Sequence, residues 1–217
     1  FLIQLISSQM DMDRMDYLNR DSFYTGVVEG AIGADRLIKM LDVKDDHLVV
    51  EEKGLLSIEN FLNARRLMYW QVYLHKTLMS TQAMLTQILN RARELTKAGT
   101  VLFATPDLQL FLNTKFVLQD FYDRPELLVA FNNLDDHDIW VSVKVWTNHE
   151  DSILSNLCGS LLNRNLFKIM FLTTPPTAEL IDSLKDKLIE SGVPVAEIPY
   201  YIVSGETNNY AYEKESD

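Results

Sequence analysis

The sequence predicts a mainly α-helical protein that ends in a small α+β segment. Three observations indicate this fold class. Apolar residues recur at helical spacing in residues 11–21, and residues 57–98 contain no glycine or proline to interrupt a helix. Thr105-Pro106-Asp107 places proline and then an acidic residue where a helix begins. We therefore predict helices over most of residues 1–164 and a strand-helix-strand unit in residues 165–217.

The predicted elements of the first half follow from local signals. We expect a helix from residue 1 to about residue 22 and a short helix over residues 34–41. Residues 47–51 have the composition of a strand, and Lys53-Gly54 supplies a turn signal, which together predict a β-ribbon near residues 46–56. Residues 57–98 predict one helix about 60 Å long.

The second half is predicted to continue as shorter helices before the composition changes. Asp151 is placed to cap a helix that runs to about residue 162. Residues 139–146 are expected to be helical, although the alternation from Val141 to Val145 would also suit a strand. The C-terminal unit consists of predicted strands at 166–172 and 200–203, a helix at 177–191 and an acidic tail at 213–217. The other predicted helices cover residues 108–113, 116–122 and 124–131.

Composition limits the function. The 31 acidic and 20 basic residues give a net charge of −11, which argues against a surface for nonspecific nucleic-acid or anionic-membrane binding. No apolar run approaches the roughly 18 residues of a membrane span. The single cysteine, Cys158, excludes an internal disulfide and is expected to be a small buried residue. We expect a cytoplasmic protein.

The segment DMDRMDYLNRD, which begins at Asp11, combines four carboxylates, two arginines and a tyrosine. On a helix, Asp13, Asp16, Tyr17 and Arg20 share one face, and the apolar residues lie opposite. The simplest interpretation is a solvated face with an ion pair between Asp16 and Arg20. The functional interpretation is a site for a divalent metal and a phosphorylated ligand.

This segment resembles the last motif of the His/Asp-domain (HD) phosphohydrolases, in the branch of deoxynucleoside triphosphate triphosphohydrolases that includes dGTPases. The resemblance implies the C-terminal part of an HD-type helical bundle. It also implies a role for four residues in this sequence: Asp13 as a metal ligand, Arg14 against the triphosphate, Tyr17 at the ligand, and Asp21 at the 3′-hydroxyl of the deoxyribose.

A second segment also resembles this family. Residues 61–65, with the sequence FLNAR, precede YLHK at residues 73–76, and the family carries an arginine for phosphate followed by such a run. Independently of the family, Arg65, Tyr73 and Lys76 share a helix face, and cations interleaved with phenols suit a polyphosphate joined to a sugar or base. The alternative is that the tyrosines are core aromatics and the cations lie on the surface. His75 is a further candidate ligand contact.

The metal ligands that the family places before the distant aspartate are missing from the twelve residues that precede Asp13. His137-Asp138 occurs in the wrong order and is predicted to have a helix-start or loop role. One carboxylate does not make a metal site. We therefore expect the remaining ligands of a divalent or transition metal ion (Mg, Mn, Fe, Ni or Zn) to lie upstream of Phe1.

The resemblance implies a hydrolase that splits a deoxynucleoside triphosphate into deoxynucleoside and triphosphate, with residues 1–217 inactive alone. It also implies a homo-oligomer, dimer or tetramer, and a nucleotide effector. Two alternatives remain: an HD phosphohydrolase for another phosphoester, such as a nucleoside monophosphate or cyclic nucleotide, and a noncatalytic nucleotide-binding or oligomerisation module. No membrane and no specific nucleic acid are expected as partners.

Overall fold

The structure is a computed structural model and describes residues 1–207. It is mainly α-helical with one small two-stranded sheet, which confirms the predicted fold class. The chain divides into two compact units, with Phe1–Leu78 in the first and Met79–Ser204 in the second. The domain boundary near residue 164 that the sequence predicts stays a prediction. The acidic tail at 213–217 lies outside the described residues.

The first unit is built from short helices and one hairpin, and its core contains Met15, Leu18, Leu37, Phe61 and Met68. Its elements are, in order, α1 (Leu2–Ile6), α2 (Met12–Thr25), α3 (Ala34–Met40), β1 (Leu41–Lys44), β2 (His47–Val50), α4 (Leu55–Met68) and a π-helical turn (Tyr69–Tyr73).

The single helix predicted for residues 1–22 is wrong, because the chain breaks between α1 and α2. Asp11 is extended, and its carboxylate accepts a hydrogen bond from the backbone N–H of Arg14 at 2.8 Å. This N-cap makes α2 begin at Met12. Helix α2 ends at Gly26, which adopts the left-handed conformation with φ 73° that favours glycine.

The β-ribbon forms, but with a different partner and turn. Strand β2 was predicted, and it pairs antiparallel with β1, which precedes it, so that Leu41 lies opposite Val50. The turn is formed by Asp45 and Asp46, which have φ 52° and 61°. Two successive positive φ values are typical of a tight hairpin turn, and aspartate tolerates them better than most residues. Lys53 and Gly54 do form a turn, because Glu52–Gly54 is a single 3₁₀ turn, but this turn leads into α4 and does not close the hairpin.

The long helix predicted for residues 57–98 is interrupted. Helix α4 ends at Met68 and continues as the π-helical turn, where the N–H of Leu74 donates to the carbonyl of Tyr69 at 2.7 Å. Helix α5 (Lys76–Lys97) begins two residues later. Aromatic and β-branched residues lose side-chain freedom in a helix, and the turn has the sequence YWQVY. The interruption therefore coincides with the weakest helix formers in the segment.

The second unit is helical, and its core is formed by apolar residues of α5, α6, α9 and α10, with Trp146 and Leu157 almost fully buried. Its helices after α5 are α6 (Pro106–Asn113), α7 (Leu118–Asp123), α8 (Pro125–Asn133), α9 (Asp136–Trp146), α10 (Ser152–Leu162) and α11 (Ala178–Glu190). Cys158 is fully buried, as predicted, and burial raises the pKa of its thiol to about 12.

Predicted helix starts in this unit are confirmed. Pro106 is the first residue of α6. The carboxylate of Asp135 accepts from the N–H groups of His137 and Asp138, so this dipeptide has the predicted helix-start role. The same cap favours helix over strand for the alternating residues that follow. Asp151 caps α10 through the N–H of Leu154 at 2.9 Å.

The two strands predicted at 166–172 and 200–203 are wrong. In the first segment, the carbonyl of Phe167 accepts a hydrogen bond from the hydroxyl of Ser80 at 2.8 Å, so its backbone is satisfied by α5 and not by a neighbouring strand. In the second, Pro199 has no N–H for a strand ladder, and residues Val195–Tyr200 form a 3₁₀ turn. A pair of isolated strands is only marginally stable, and helix packing wins here.

Arg91 on α5 fixes this C-terminal segment to the second unit. Its guanidinium donates to both carboxylate oxygens of Asp151, at 3.1 and 2.6 Å, and to the hydroxyl of Tyr200 at 3.0 Å. Tyr200 in turn donates to Glu94. The hydrogen bond from Arg91 is the main reason why the pKa of Asp151 lies below its ordinary value.

We predict that Asp151→Asn lowers the free energy of unfolding by about 1 to 2 kcal/mol at pH 7, because a hydrogen bond to a charged group is lost while the amide can still cap α10. Folding lowers the pKa of Asp151. The stabilisation of the fold by its carboxylate is therefore complete above about pH 4 and is lost as the pH falls. Urea unfolding at pH 7 and pH 3 measures this effect.

Asp182→Asn is the matched control, because Asp182 pairs with Lys185 at 2.8 Å on an exposed surface of α11. Such pairs contribute about 0 to 1 kcal/mol. An Asp151→Asn variant as stable as this control at pH 7 would contradict the role of the Arg91 pair.

Candidate functional site

Helix α2 has the predicted amphipathic character. Met15 and Leu18 are buried, and Asp13, Asp16 and Arg20 are exposed. Arg20 and Asp16 form an ion pair at 2.9 Å with more than half of each side chain exposed. The simplest interpretation of the charged face is therefore correct for this pair.

Asp21, near the C-terminal end of α2, is joined to the π-helical turn by a hydrogen bond. The Tyr73 hydroxyl donates to the Asp21 carboxylate at 2.7 Å, and both residues are half-buried. The two residues are 52 positions apart in the sequence. The structure thus brings together two of the residues that the sequence predicted for one site.

Three tyrosines extend this contact. The ring of Tyr73 lies edge-on to Tyr17 at 5.9 Å and edge-on to Tyr69 at 5.3 Å between centroids. Tyr69 and Tyr73 are the first and last residues of the π-helical turn, whose wider winding aligns residues four apart more closely than an α-helix does. Turns of this kind occur frequently at functional sites.

Arg65 on α4 is buried, with only 6% of its surface exposed. One terminal nitrogen donates to the side-chain oxygen of Gln9 at 3.0 Å, and the guanidinium carbon lies 5.8 Å from the ring centre of Tyr69. Its Nε atom is buried without a hydrogen-bond partner, and within residues 1–207 Arg65 forms no salt bridge. The alternative that placed this cation on the surface is wrong.

Arg14 is the second cation beside the tyrosines. Its guanidinium donates to the carbonyl of Ser8 at 2.6 Å and lies 3.6 Å from the carboxylate of Asp11. Arg14 is half-buried, whereas the Asp11 carboxylate is also engaged in capping α2. The loop between α1 and α2 therefore orients Arg14 next to Tyr17.

Tyr17 and Tyr73 are held in the neutral form. Burial, followed by the hydrogen bond to Asp21, raises the pKa of Tyr73 well above its ordinary value. Burial also raises the pKa of Tyr17, while the positive charges of Arg65 and Arg14 act in the opposite direction. Both phenols consequently remain hydrogen-bond donors at neutral pH.

The other predicted site residues are exposed. Asp13 lies in the first turn of α2, and His75 and Lys76 lie where α5 begins. The Nδ1 atom of His75 accepts from the N–H of Thr77 at 3.3 Å, which gives His75 a local capping contact. Asp13, His75 and Lys76 thus present their side chains to the surface of this unit.

A metal ion needs more ligands than this unit provides. In the part of the chain that the structure describes, no group of three or more histidine, cysteine, aspartate or glutamate residues is arranged to hold a metal. Asp13 can contribute one carboxylate.

We define the tyrosine–arginine cluster as Tyr17, Asp21, Arg65, Tyr69 and Tyr73, with Arg14 beside it. The cluster offers cations for phosphate oxygens, neutral phenols as donors and a carboxylate as an acceptor for a hydroxyl group. Sequence reasoning missed Gln9, because a single glutamine before a helix cap carries no spacing signal. Two surface grooves of the second unit, of about 510 and 430 Å³, contain none of the predicted site residues.

Comparisons with known proteins connect the chain to phosphohydrolases. Residues 32–115 match the family described as the HD associated region. The solved structure of a phosphohydrolase from Bacteroides thetaiotaomicron is similar at 52% identity with a TM-score of 0.87, covering 92% of this chain and 50% of that one.

Two curated proteins extend this similarity. The uncharacterised protein YwfO of Bacillus subtilis is 32% identical over 98% of this chain and 46% of its own length. A deoxynucleoside triphosphate triphosphohydrolase homologue from Dictyostelium discoideum is 25% identical over 95% of this chain and 36% of its own length. The comparisons support an HD phosphohydrolase, and the chain spans about half the length of YwfO and of the solved phosphohydrolase.

Within residues 1–207, the structure contains no helix with the length and apolar composition that a membrane span requires.

We predict that Tyr73→Phe lowers the free energy of unfolding by about 1 to 2 kcal/mol at pH 7, because the Asp21 carboxylate loses its donor. Folding raises the pKa of Tyr73, so this contribution is complete below about pH 10 and is lost as the pH rises further. The difference between wild type and variant should therefore shrink above pH 10 in urea unfolding.

Tyr24→Phe is the control, because Tyr24 is 80% exposed on the same helix as Asp21. Equal stabilities of Tyr73→Phe and Tyr24→Phe at pH 7 would contradict the role of the Tyr73–Asp21 hydrogen bond.

Proposed function

We propose that the protein containing this chain is a metal-dependent phosphohydrolase that converts a deoxynucleoside triphosphate into a deoxynucleoside and inorganic triphosphate. The observation that carries the proposal is the buried guanidinium of Arg65 beside Tyr69, whose ring packs on Tyr73. Tyr73 in turn contacts Tyr17 and donates to Asp21. The similarity to phosphohydrolases supports the reaction class, and the Dictyostelium relative is itself described as a deoxynucleoside triphosphate triphosphohydrolase homologue.

The cations define the phosphate end of the proposed site. The positive charges of Arg65 and Arg14 both act to lower the pKa of the Tyr17 phenol. We propose that both guanidinium groups face the same ligand. Guanidinium groups bind phosphate oxygens in a forked geometry, and two of them suit a triphosphate better than a single phosphate. Lys76, exposed at the start of α5, adds a third cation in this proposal.

The tyrosines and Asp21 define the sugar end. The Asp21 carboxylate accepts a hydrogen bond from Tyr73 and has lone pairs left to accept one from the 3′-hydroxyl of a deoxyribose. Tyr17 and Tyr73 provide aromatic surfaces against which a sugar packs. His75 is a peripheral contact in this arrangement.

Hydrolysis forms a bond between a water oxygen and the α-phosphorus and breaks the bond from that phosphorus to the 5′-oxygen, which takes up a proton as the deoxynucleoside leaves. A bound metal ion would activate the water. We propose Asp13 as one ligand of this metal ion. The other ligands would come from the part of the full-length protein that this chain does not include. The arginines orient the triphosphate and neutralise its charge.

The remaining features of the proposal follow the family resemblance. We propose a cytoplasmic homo-oligomer, dimer or tetramer, that responds to a nucleotide effector. A substrate panel that includes nucleoside monophosphates and cyclic nucleotides tests the substrate class, because two converging arginines favour the triphosphate. Release of inorganic triphosphate identifies the proposed reaction, whereas release of single phosphate would contradict it.

We predict that Asp13→Ala in the full-length protein abolishes turnover and reduces its metal content, because a metal ligand is removed. Asp16→Ala is the matched control, since Asp16 is exposed on the same helix and pairs with Arg20. Metal analysis and a triphosphate-release assay measure both effects. Unchanged turnover in Asp13→Ala would contradict the assignment.

We also predict that Lys76→Ala in the full-length protein mainly raises KM, because an exposed cation contributes to binding more than to the chemical step.

Residues 1–217 alone should release no triphosphate, because they lack most of the metal ligands. Measurable release by this chain would show that the proposed metal site is wrong.

A further inference from the structure

The charge of Arg65 is unusual because it is buried, and within residues 1–207 no acidic side chain forms a salt bridge with it. Charged residues are rarely this buried unless they are paired, since burial removes their hydration. In the described chain, Arg65 contacts the amide of Gln9 and the ring of Tyr69, and its Nε atom has no acceptor. An uncompensated buried cation of this kind is prepared for an anion from outside the unit.

Gln9 supplies the side-chain hydrogen bond that orients this cation. Its oxygen lies 3.0 Å from a terminal nitrogen of Arg65, and Gln9 is half-buried in the loop between α1 and α2. An amide oxygen accepts a hydrogen bond but carries no net charge. Glutamate at this position would have the same shape and would neutralise Arg65.

The carboxylates near the cluster within residues 1–207 do not neutralise Arg65. Asp11, which acts on Tyr17, lies 3.6 Å from Arg14 and caps α2. Asp21 accepts the hydrogen bond of Tyr73. The acidic groups around the cluster thus have their own partners, and the acceptor that faces Arg65 is neutral.

We propose that Gln9 is a positioning residue that holds the Arg65 guanidinium in place while leaving its positive charge available to a polyphosphate. This inference rests on the proposed function, because it assumes that Arg65 contacts the phosphates of the substrate. Gln9 lies outside both sequence motifs. Its side chain has to accept a hydrogen bond from Arg65 and has to be uncharged, and glutamine meets both requirements.

The test compares Gln9→Glu, Gln9→Ala and wild type of the full-length protein, with inorganic triphosphate as the probe in isothermal titration calorimetry. Gln9→Glu keeps the acceptor and adds a negative charge, so we expect its affinity to fall by about tenfold or more. Gln9→Ala removes the acceptor without changing the charge and should lose less affinity. A merely structural role predicts the reverse order, since glutamate preserves the hydrogen bond.

Gln4→Glu is the matched control for added charge. Gln4 lies five positions earlier, and its side-chain oxygen accepts from the N–H of Leu48 at 2.7 Å, which glutamate can also do. Its affinity should equal that of wild type. Urea unfolding should show that Gln9→Glu is at least as stable as wild type, because glutamate pairs with Arg65.

The outcomes distinguish the role of Gln9 from the phosphate site of the proposed function. If Gln9→Glu binds triphosphate as tightly as wild type does, the proposed role of Gln9 is wrong. The same follows if Gln4→Glu loses as much affinity as Gln9→Glu. Neither result would contradict the proposed function. Wild type that binds no triphosphate would overturn the phosphate site itself.

Discussion

The buried guanidinium of Arg65 constrains what the first unit can do. Taking a charge out of water costs several kcal/mol unless an opposite charge or a set of hydrogen bonds replaces the water. Up to residue 207, Arg65 has one amide acceptor, one aromatic face and an unpartnered nitrogen. A fold that keeps such a group is less stable than one that pairs it, and a bound anion offsets that cost. If Arg65 binds the phosphates of the proposed substrate, ligand binding will also stabilise this unit.

The geometry around Arg65 depends on the π-helical turn. Tyr69 and Tyr73 bound the turn, and their rings pack edge-on against each other. Tyr73 reaches Asp21 on α2, and Tyr69 lies beside Arg65. The hydrogen bond fixes the phenol, and the phenol in turn fixes the carboxylate. A regular helix through residues 57–98 would have placed these rings at a different angle to α2. The interruption that breaks the helix is thus also what forms the cluster.

Much of this arrangement was readable from the sequence, because helix periodicity and cap residues act locally. The apolar face of α2, the start of α6 at Pro106, the helix-start role of His137-Asp138 and the cap at Asp151 were predicted for this reason. The strands at 166–172 and 200–203 failed because tertiary contacts, such as Ser80 with Phe167, override strand propensity. Gln9 was missed because its contact with Arg65 spans 56 residues and leaves no periodic signal.

The most direct measurement is a crystal structure of the full-length protein with a non-hydrolysable deoxynucleoside triphosphate. The proposed function predicts phosphate oxygens within hydrogen-bond distance of the Arg65 guanidinium and a sugar hydroxyl at the Asp21 carboxylate. A nucleotide bound with its phosphates away from Arg65, and with Asp21 and Tyr73 in contact only with each other, would contradict it.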